Sequence, residues 1–254
     1  MLVLAFDTAT PAVTAALHDG ERVLAESTTV DARRHGELLV PTIETVLREA
    51  GVSLGDVTAV VAGSGPGPYT GLRVGLVTAQ ALATSLGVPA YGVCTLDALA
   101  YGSGLDGPFL VATDARRKEV FWGRYADART RLSGPSVDRP QDLPGDLPLV
   151  GAGARMYAEV LGDTRLADAP EYPYAGALAA LAAAALGERG LGERGTGHSW
   201  DTDEARRADG APGETAAAGE AEGAGARSVL GPPLPIYLRR PDARVPSAPK
   251  KVST

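Results

Sequence analysis

The segment "LVLAFDTAT", residues 2–10, is a mostly apolar run that contains Asp7 near its end. Such a run is typical of a strand that is buried on both faces of a sheet. The next segment, "AVTAALHDGERVLAEST" (residues 12–28), contains Asp19-Gly20, a dipeptide favoured in two-residue hairpin turns. The start of the chain therefore predicts three consecutive strands.

The same pattern returns in the middle of the chain. In "PFLVATDARRKEVFWGRYAD", residues 108–127, an apolar strand ends in Asp114, and a short turn leads to a second strand over residues 119–125. Asp114 thus holds the position that Asp7 holds after the first strand. A strand ending in aspartate, a hairpin and then helices, occurring twice, predicts an α/β protein with two ribonuclease H-like lobes built from duplicated ββαβ units.

Two helices are predicted between the strands of the first lobe. Over residues 33–50, apolar side chains recur at helical spacing up to Gly51, a natural helix end. A second helix is predicted over residues 72–86, with Thr70 as the candidate N-cap and Gly87 as its end. The remaining predicted elements are strands within residues 57–63, 89–93 and 147–154 and a last helix over residues 174–186.

These elements give a division into two lobes, residues 1–100 and residues 101–186. Residues 187–229 consist mainly of glycine, alanine and charged residues, which bury too little apolar surface to offset the entropy of ordering. They are interpreted as a disordered insertion, with a linker to a functional tail as the alternative. Residues 230–254 begin with large apolar side chains, among them Ile236, and are predicted to dock back on the fold.

The composition is that of a globular protein. The chain has 254 residues, 44% of them hydrophobic, with a formal net charge of -7 and a pI near 5.1. This charge argues against unaided nucleic-acid binding, because phosphates are bound by Lys and Arg clustered on one face. A single cysteine, Cys94, excludes an internal disulfide framework, and the N-terminal segment lacks the features of a secretory signal. No long apolar run occurs, so a cytoplasmic protein without membrane spans is predicted.

The glycine-rich segment "GSGPGPYTGLRVG", residues 63–75, has two interpretations. A phosphate loop aims consecutive backbone N–H groups at an anion, often with a lysine nearby. Pro66 and Pro68 each remove an N–H donor, no lysine follows, and the spacing matches neither the Walker nor the dinucleotide pattern. A turn from a strand into a helix, with glycines that permit close packing, is favoured, and phosphate binding stays open as the alternative.

The sequence offers little support for a metal site or for a nucleophilic cysteine or serine. The three histidines, His18, His35 and His198, form no H-x-x-x-H pair, so no metal site is predicted. Cys94 follows an apolar strand without a nearby histidine, which favours a buried structural thiol. Ser64 lies outside the G-x-S-x-G pattern of a nucleophilic serine.

Two carboxylates remain as candidates for a vestigial nucleotide site. Asp7 and Asp114 end equivalent strands, where they could hold a magnesium-bound nucleotide between two lobes, with Thr8 beside the first of them. However, residues 5–10 lack the glycine and the basic residue of a hairpin that grips phosphate.

Four segments together resemble the bacterial TsaB (YeaZ) family: "LAFDTAT", "RRHGELLVPTIETVL", "GSGPGPYTGLRVG" and "DARRKEVFWGRY", in that order. The resemblance covers residues 1–186 and the later "PLPIYLR". Each motif alone is modest, but the four in sequence are specific. The chain departs from the usual family motifs at Gly36, Pro68, Tyr69, Val74 and Phe121.

The resemblance implies a fold like that of the actin, sugar kinase and Hsp70 superfamily. It implies a non-catalytic partner of TsaD, the subunit that transfers a threonylcarbamoyl group from an adenylate donor to the adenosine beside the anticodon of tRNA. The ATPase TsaE would join the pair, and tRNA would be contacted indirectly. No cofactor is expected on this chain, because ATP, magnesium and metal would belong to the partner subunits.

By the same resemblance, the first two helices would bind TsaD or, in its absence, pair two copies of the chain. The interface residues carried over are Leu38, Leu39, Thr42 and Val46 on the first helix and Arg73, Val77 and Gln80 on the second. Two alternatives remain open: an active kinase or ATPase of the same fold, and a metalloprotease.

Overall fold

A computed structural model describes residues 1–188 and 229–238 of the chain. The first of its two sheets has five strands in the order β3-β2-β1-β4-β5. Strand β1 pairs antiparallel with β2 and parallel with β4, as in a ribonuclease H-like sheet. The strands are β1 Val3–Asp7, β2 Ala12–His18, β3 Val23–Val30, β4 Ala59–Gly63 and β5 Ala90–Val93.

The second sheet repeats the arrangement of the first. Its order is β8-β7-β6-β9, and β6 pairs antiparallel with β7 and parallel with β9. The predicted duplication is therefore confirmed, although a short 3-10 helix, Pro140–Asp142, stands where the first lobe has a long helix. The strands are β6 Phe109–Asp114, β7 Val120–Asp127, β8 Thr130–Asp138 and β9 Leu149–Val150.

Six α-helices occur within the described residues: α1 His35–Ala50, α2 Tyr69–Leu86, α3 Thr95–Ser103, α4 Ala152–Met156, α5 Ala158–Leu161 and α6 Ala175–Glu188. Gly51 and Gly87 end α1 and α2 in the left-handed conformation, as predicted. The predicted N-cap at Thr70 is wrong, because α2 already begins at Tyr69. Pro68 precedes it with φ −59°, so proline geometry starts this helix without a side-chain cap.

The helices cover both faces of the first sheet. Leu4 and Phe6 of β1 pack with α1 and α2, whereas Val3 and Ala5 pack with α6 on the opposite face. This alternation follows from the two-residue period of a strand. It explains why β1 is apolar at every position before Asp7.

Helices α3 and α6 connect the two sheets. Leu96 and Leu99 of α3 pack against the second sheet, while α6 contacts β1 and β2 of the first. The Thr14 hydroxyl accepts the Ala175 N–H at 3.0 Å, and a Glu26 carboxylate oxygen accepts the Gly176 N–H at 2.7 Å. The first turn of α6 is thus held by side chains of the first sheet.

Residues 229–238 lie against the first lobe. Gly231 exchanges two backbone hydrogen bonds with Gly92 of β5, at 2.9 and 3.0 Å. Further along, Ile236 donates its N–H to the Ser64 carbonyl at 2.8 Å. Most of the predicted insertion at 187–229 and the tail beyond residue 238 lie outside the described residues. None of the described helices combines the length and apolarity needed to cross a bilayer.

Candidate functional site

The turn after β1 packs directly on the start of α2. The Thr8 hydroxyl donates to the Gly71 carbonyl at 2.7 Å and accepts the Gly75 N–H at 3.0 Å. A single side chain of the β1–β2 turn therefore bridges two backbone groups one helical turn apart. This contact fixes α2 to the first sheet.

The glycines of the 63–75 segment permit this close approach. A Cβ at Gly71 would lie 2.5 Å from the Thr8 carbonyl oxygen, and one at Gly75 would lie 2.6 Å from the Thr8 hydroxyl. A Cβ at Gly67 would overlap the Ala9 carbonyl oxygen. Three glycines of the loop thus lie directly against Thr8 and Ala9, and this close contact favours the interpretation as a packing turn.

Asp7 is buried in a hydrogen-bond network beneath the loop. Its carboxylate accepts the Thr95 hydroxyl at 2.6 Å and the Ala9 N–H at 2.7 Å. The Thr95 hydroxyl oxygen in turn accepts the Gly65 N–H at 3.1 Å. Asp7 thus connects β1, the glycine loop and the first residue of α3.

Burial raises the pKa of Asp7 from its ordinary value of 3.8 to about 6, although the hydrogen bonds from Thr95 and Ala9 lower it. Between these two values the folded chain binds more protons than the unfolded chain, so folding stability decreases as pH rises from about 4 to 6. Each pKa unit corresponds to roughly 1.4 kcal/mol, so the free energy of unfolding decreases by up to about 3 kcal/mol over this range.

Asp7→Asn is expected to remove this decrease, because the amide carries no charge to bury. The free energy of unfolding of both chains is measured by urea denaturation between pH 4 and pH 7. It should fall as pH rises in the unsubstituted chain and change less in Asp7→Asn. A variant whose pH profile matches that of the unsubstituted chain would assign the titration to another group.

Asp114, the second candidate for a nucleotide site, lies at the end of β6, where its carboxylate accepts the Arg116 N–H at 2.8 Å and pairs with the Arg116 guanidinium at 3.5 Å. A cavity of about 140 Å³ opens beside Thr8, and Arg116 also lines it, but neither aspartate is among its lining residues. Within the part of the chain that the structure describes, no three His, Cys, Asp or Glu side chains come together as a metal site requires.

His35 and Cys94 both have contacts that suit a structural role. His35 is the first residue of α1, and its Nε2 lies 2.8 Å from the Thr10 carbonyl, which makes Nε2 the donor. Cys94 is buried, as predicted, and burial raises the pKa of its thiol to about 12. A thiol with such a pKa is not a nucleophile at neutral pH.

The predicted interface on α1 requires a correction. Leu39, Thr42 and Val46 are buried in the core between α1 and the first sheet, and Leu38 is half-buried there. The assignment of the first three to a docking surface was wrong, because the apolar period of an amphipathic helix marks the side that packs on its own sheet. The exposed side of α1 carries Glu37, Val40, Pro41 and Glu44.

The residues predicted for the interface on α2 are accessible to a partner. Val77 is 54% exposed, Arg73 is exposed and Gln80 is half-buried. One helical turn before Arg73 lies Tyr69, whose hydroxyl accepts a hydrogen bond from the Arg73 guanidinium at 2.6 Å.

The Tyr69 ring also stacks on Tyr237 of the 229–238 segment, with ring centroids 5.4 Å apart. Tyr69, Arg73, Val77 and Tyr237, here called the α2 face, form an exposed aromatic and aliphatic surface. Tyrosine and arginine are enriched among residues that dominate protein interfaces. No signal in the sequence pairs the two tyrosines, although "PLPIYLR" predicts that this segment docks on the fold.

The comparisons with known proteins agree with each other. The family described as "TsaD: tRNA N6-adenosine threonylcarbamoyltransferase" matches residues 22–180. An uncharacterized protein of Mycobacterium tuberculosis is 50% identical over 159 residues, which cover 61% of this chain and 74% of the relative. The "tRNA threonylcarbamoyladenosine biosynthesis protein TsaB" of Escherichia coli is 33% identical over 174 residues, covering 63% of this chain and 75% of the relative. The solved structure "YeaZ from Pseudomonas aeruginosa" has a TM-score of 0.60 and 32% identity, covering 74% of this chain and 92% of that one.

Proposed function

Because the chain belongs to the TsaB (YeaZ) family, within the wider family described as TsaD, we propose that it is the non-catalytic partner of a TsaD subunit. In this role it supports transfer of the threonylcarbamoyl group from threonylcarbamoyl-adenylate to the adenosine next to the anticodon of tRNA. The E. coli relative named for threonylcarbamoyladenosine biosynthesis supports the pathway. The protein acts in the cytoplasm, where tRNA is modified.

The contact between the glycine loop and the β1–β2 turn supports the proposal that this chain is not the catalytic subunit. Thr8 and Ala9 lie against Gly71 and Gly67 at distances that leave no room for a side chain. Asp7, the best candidate for binding a magnesium-bound nucleotide, is already bound by Thr95. These residues therefore serve packing, and the chemistry belongs to the partner subunit.

The α2 face supports the partner part of the proposal. It combines exposed apolar side chains with a guanidinium that lies 5.2 Å from the Tyr69 ring centroid. TsaD binds this face, a second copy of the chain covers it when TsaD is absent, and TsaE joins the pair in a ternary complex. Isolated exposure of a valine or tyrosine needs no explanation, but here Tyr69 contacts both Arg73 and Tyr237, and the exposed Val77 follows one helical turn after Arg73, which favours an interface.

Reconstituted modification of tRNA tests the function. The reaction contains TsaD, TsaE and the adenylate-forming enzyme of the same organism, with this chain added or withheld. Threonylcarbamoyladenosine is expected only when the chain is present, and the isolated chain is expected to hydrolyse no ATP. Equal modification without the chain would contradict the proposal, and hydrolysis of ATP that is lost in Asp7→Ala would favour the kinase or ATPase alternative.

A further inference from the structure

The turn between β6 and β7 presents three consecutive basic side chains. Arg116, Arg117 and Lys118 are exposed, and their φ angles of 62°, 56° and 63° are all left-handed. This conformation costs an ordinary L-residue roughly 1 to 2 kcal/mol, and glycine or asparagine adopts it more easily. The turn is held by Asp114, which accepts the Arg116 N–H at 2.8 Å, and by a hydrogen bond from the Glu119 N–H to the Arg116 carbonyl at 3.0 Å.

A fourth basic side chain lines a small cavity together with Arg116 of this turn. Arg33, just before α1, and Arg116 both line the 140 Å³ cavity, together with residues at the beginnings of α1 and α2. Helix N-termini carry partial positive charge, so they add to the potential that the arginines create. The cations Arg33, Arg116, Arg117 and Lys118, here called the basic rim, are four exposed basic side chains on a chain whose net charge is -7, and one of them, Arg116, is paired with Asp114 at 3.5 Å.

We infer that the basic rim binds phosphates of the RNA backbone, an inference that rests on the proposed function and names a direct contact of this chain with the tRNA substrate. Charge complementarity favours this ligand, because several cations spread along a turn and a helix start match a chain of phosphates. Such contacts fix the position of an RNA without reading its sequence. The acidic net charge excludes a general affinity for RNA but not a local contact of this kind.

The shape of the cavity argues against a free nucleotide. Pockets that enclose small ligands usually measure about 300 Å³ or more, whereas this cavity measures about 140 Å³. No Phe, Tyr or Trp side chain lines it, so a base would have no ring to stack on. The cavity has room for a phosphate group while the rest of the ligand lies outside.

The cavity also lies close to the α2 face. Thr70 and Val74 of α2 line the cavity, and they directly follow Tyr69 and Arg73 of the α2 face in the sequence. A TsaD subunit bound to the α2 face would therefore lie next to the cavity that Arg33 and Arg116 line.

The test compares two double charge reversals in the complex of this chain with TsaD. Arg33→Glu/Lys118→Glu reverses one charge just before α1 and one in the turn between β6 and β7. The control, Arg22→Glu/Arg129→Glu, changes the net charge by the same amount. Strand pairing places Arg22 at the end of the first sheet opposite Asp7 and Arg129 at the end of the second sheet opposite Asp114. Binding of an unmodified tRNA transcript is measured for each complex over a range of salt concentrations.

The rim variant is expected to bind tRNA at least about tenfold more weakly, with the slope of log K against log salt reduced by about two, while the control variant stays within about twofold. Equal tRNA affinity in the unsubstituted and rim variants would overturn the inference while the proposed function stands, provided that the unsubstituted chain supports modification. Loss of TsaD binding in the rim variant would identify the rim as a protein interface instead. Loss of ATP binding with unchanged tRNA affinity would identify it as a nucleotide site.

Discussion

Val77→Arg is expected to weaken binding of TsaD at least about 100-fold and to abolish modification that depends on the partner. Val77 lies on the α2 face and is 54% exposed, so an interface there would bury it. An arginine at the centre of an apolar contact would bury a charge without a partner, which costs several kcal/mol. The folded chain should keep its stability to within about 0.5 kcal/mol, because the substituted side chain is exposed in the free protein.

Val160→Arg is the matched control for this experiment. Val160 lies on α5 in the second lobe and is 56% exposed, so the same substitution changes charge, size and exposure in the same way at a different surface. Affinity is measured by calorimetry and folding by thermal unfolding followed with circular dichroism. A folded Val77→Arg chain that binds TsaD as tightly as the Val160→Arg chain would show that the interface lies elsewhere.

Gly71→Ala is expected to reduce the free energy of unfolding by more than about 3 kcal/mol, at the upper end of typical overpacking costs. The added Cβ would lie 2.5 Å from the Thr8 carbonyl oxygen, and Thr8 directly follows Asp7, the last residue of β1 that pairs with β2. Thr8 would have to withdraw, and its hydrogen bonds to Gly71 and Gly75 would lengthen. Since α2 carries the proposed interface, binding of TsaD should weaken as well.

Gly36→Ala provides the opposite expectation at a helix position with open space. No atom lies within 4 Å of a Cβ built on Gly36, and alanine in a helix is favoured over glycine by roughly 1 kcal/mol. This variant should be neutral or stabilised, and urea unfolding of both variants gives the comparison. If both alanines stabilise the chain equally, helix propensity dominates and the β1–β2 turn can move away.

The sequence predicted the fold because its signals are local or repeated. The aspartates that end β1 and β6, each before a hairpin, indicated two equivalent sheets, and the strand orders confirm them. Gly51 and Gly87 were identified as helix ends because the left-handed conformation suits glycine best. The buried state of Cys94 followed from the apolar strand that precedes it.

The site was less predictable because its contacts join distant segments. A helical period shows that α1 has an apolar side, but without the sheet beside it the sequence does not show that Leu39 and Val46 face inward and Val40 outward. The start of α2 also differs from the prediction, because the proline ring holds Pro68 at φ −59° directly before Tyr69 and no side-chain cap is used.

The amino-acid sequence by itself determined the duplicated lobes, the helix ends and the poor match to a phosphate loop, since each depends on residue type and spacing along the chain. Only the tertiary structure decided which side chains face solvent, that Thr8 bridges Gly71 and Gly75, and that Tyr237 stacks on Tyr69. The physical reason is that burial and contact depend on what lies against a residue in space. A surface made by α2 and a segment near the end of the chain has no continuous signature in the sequence.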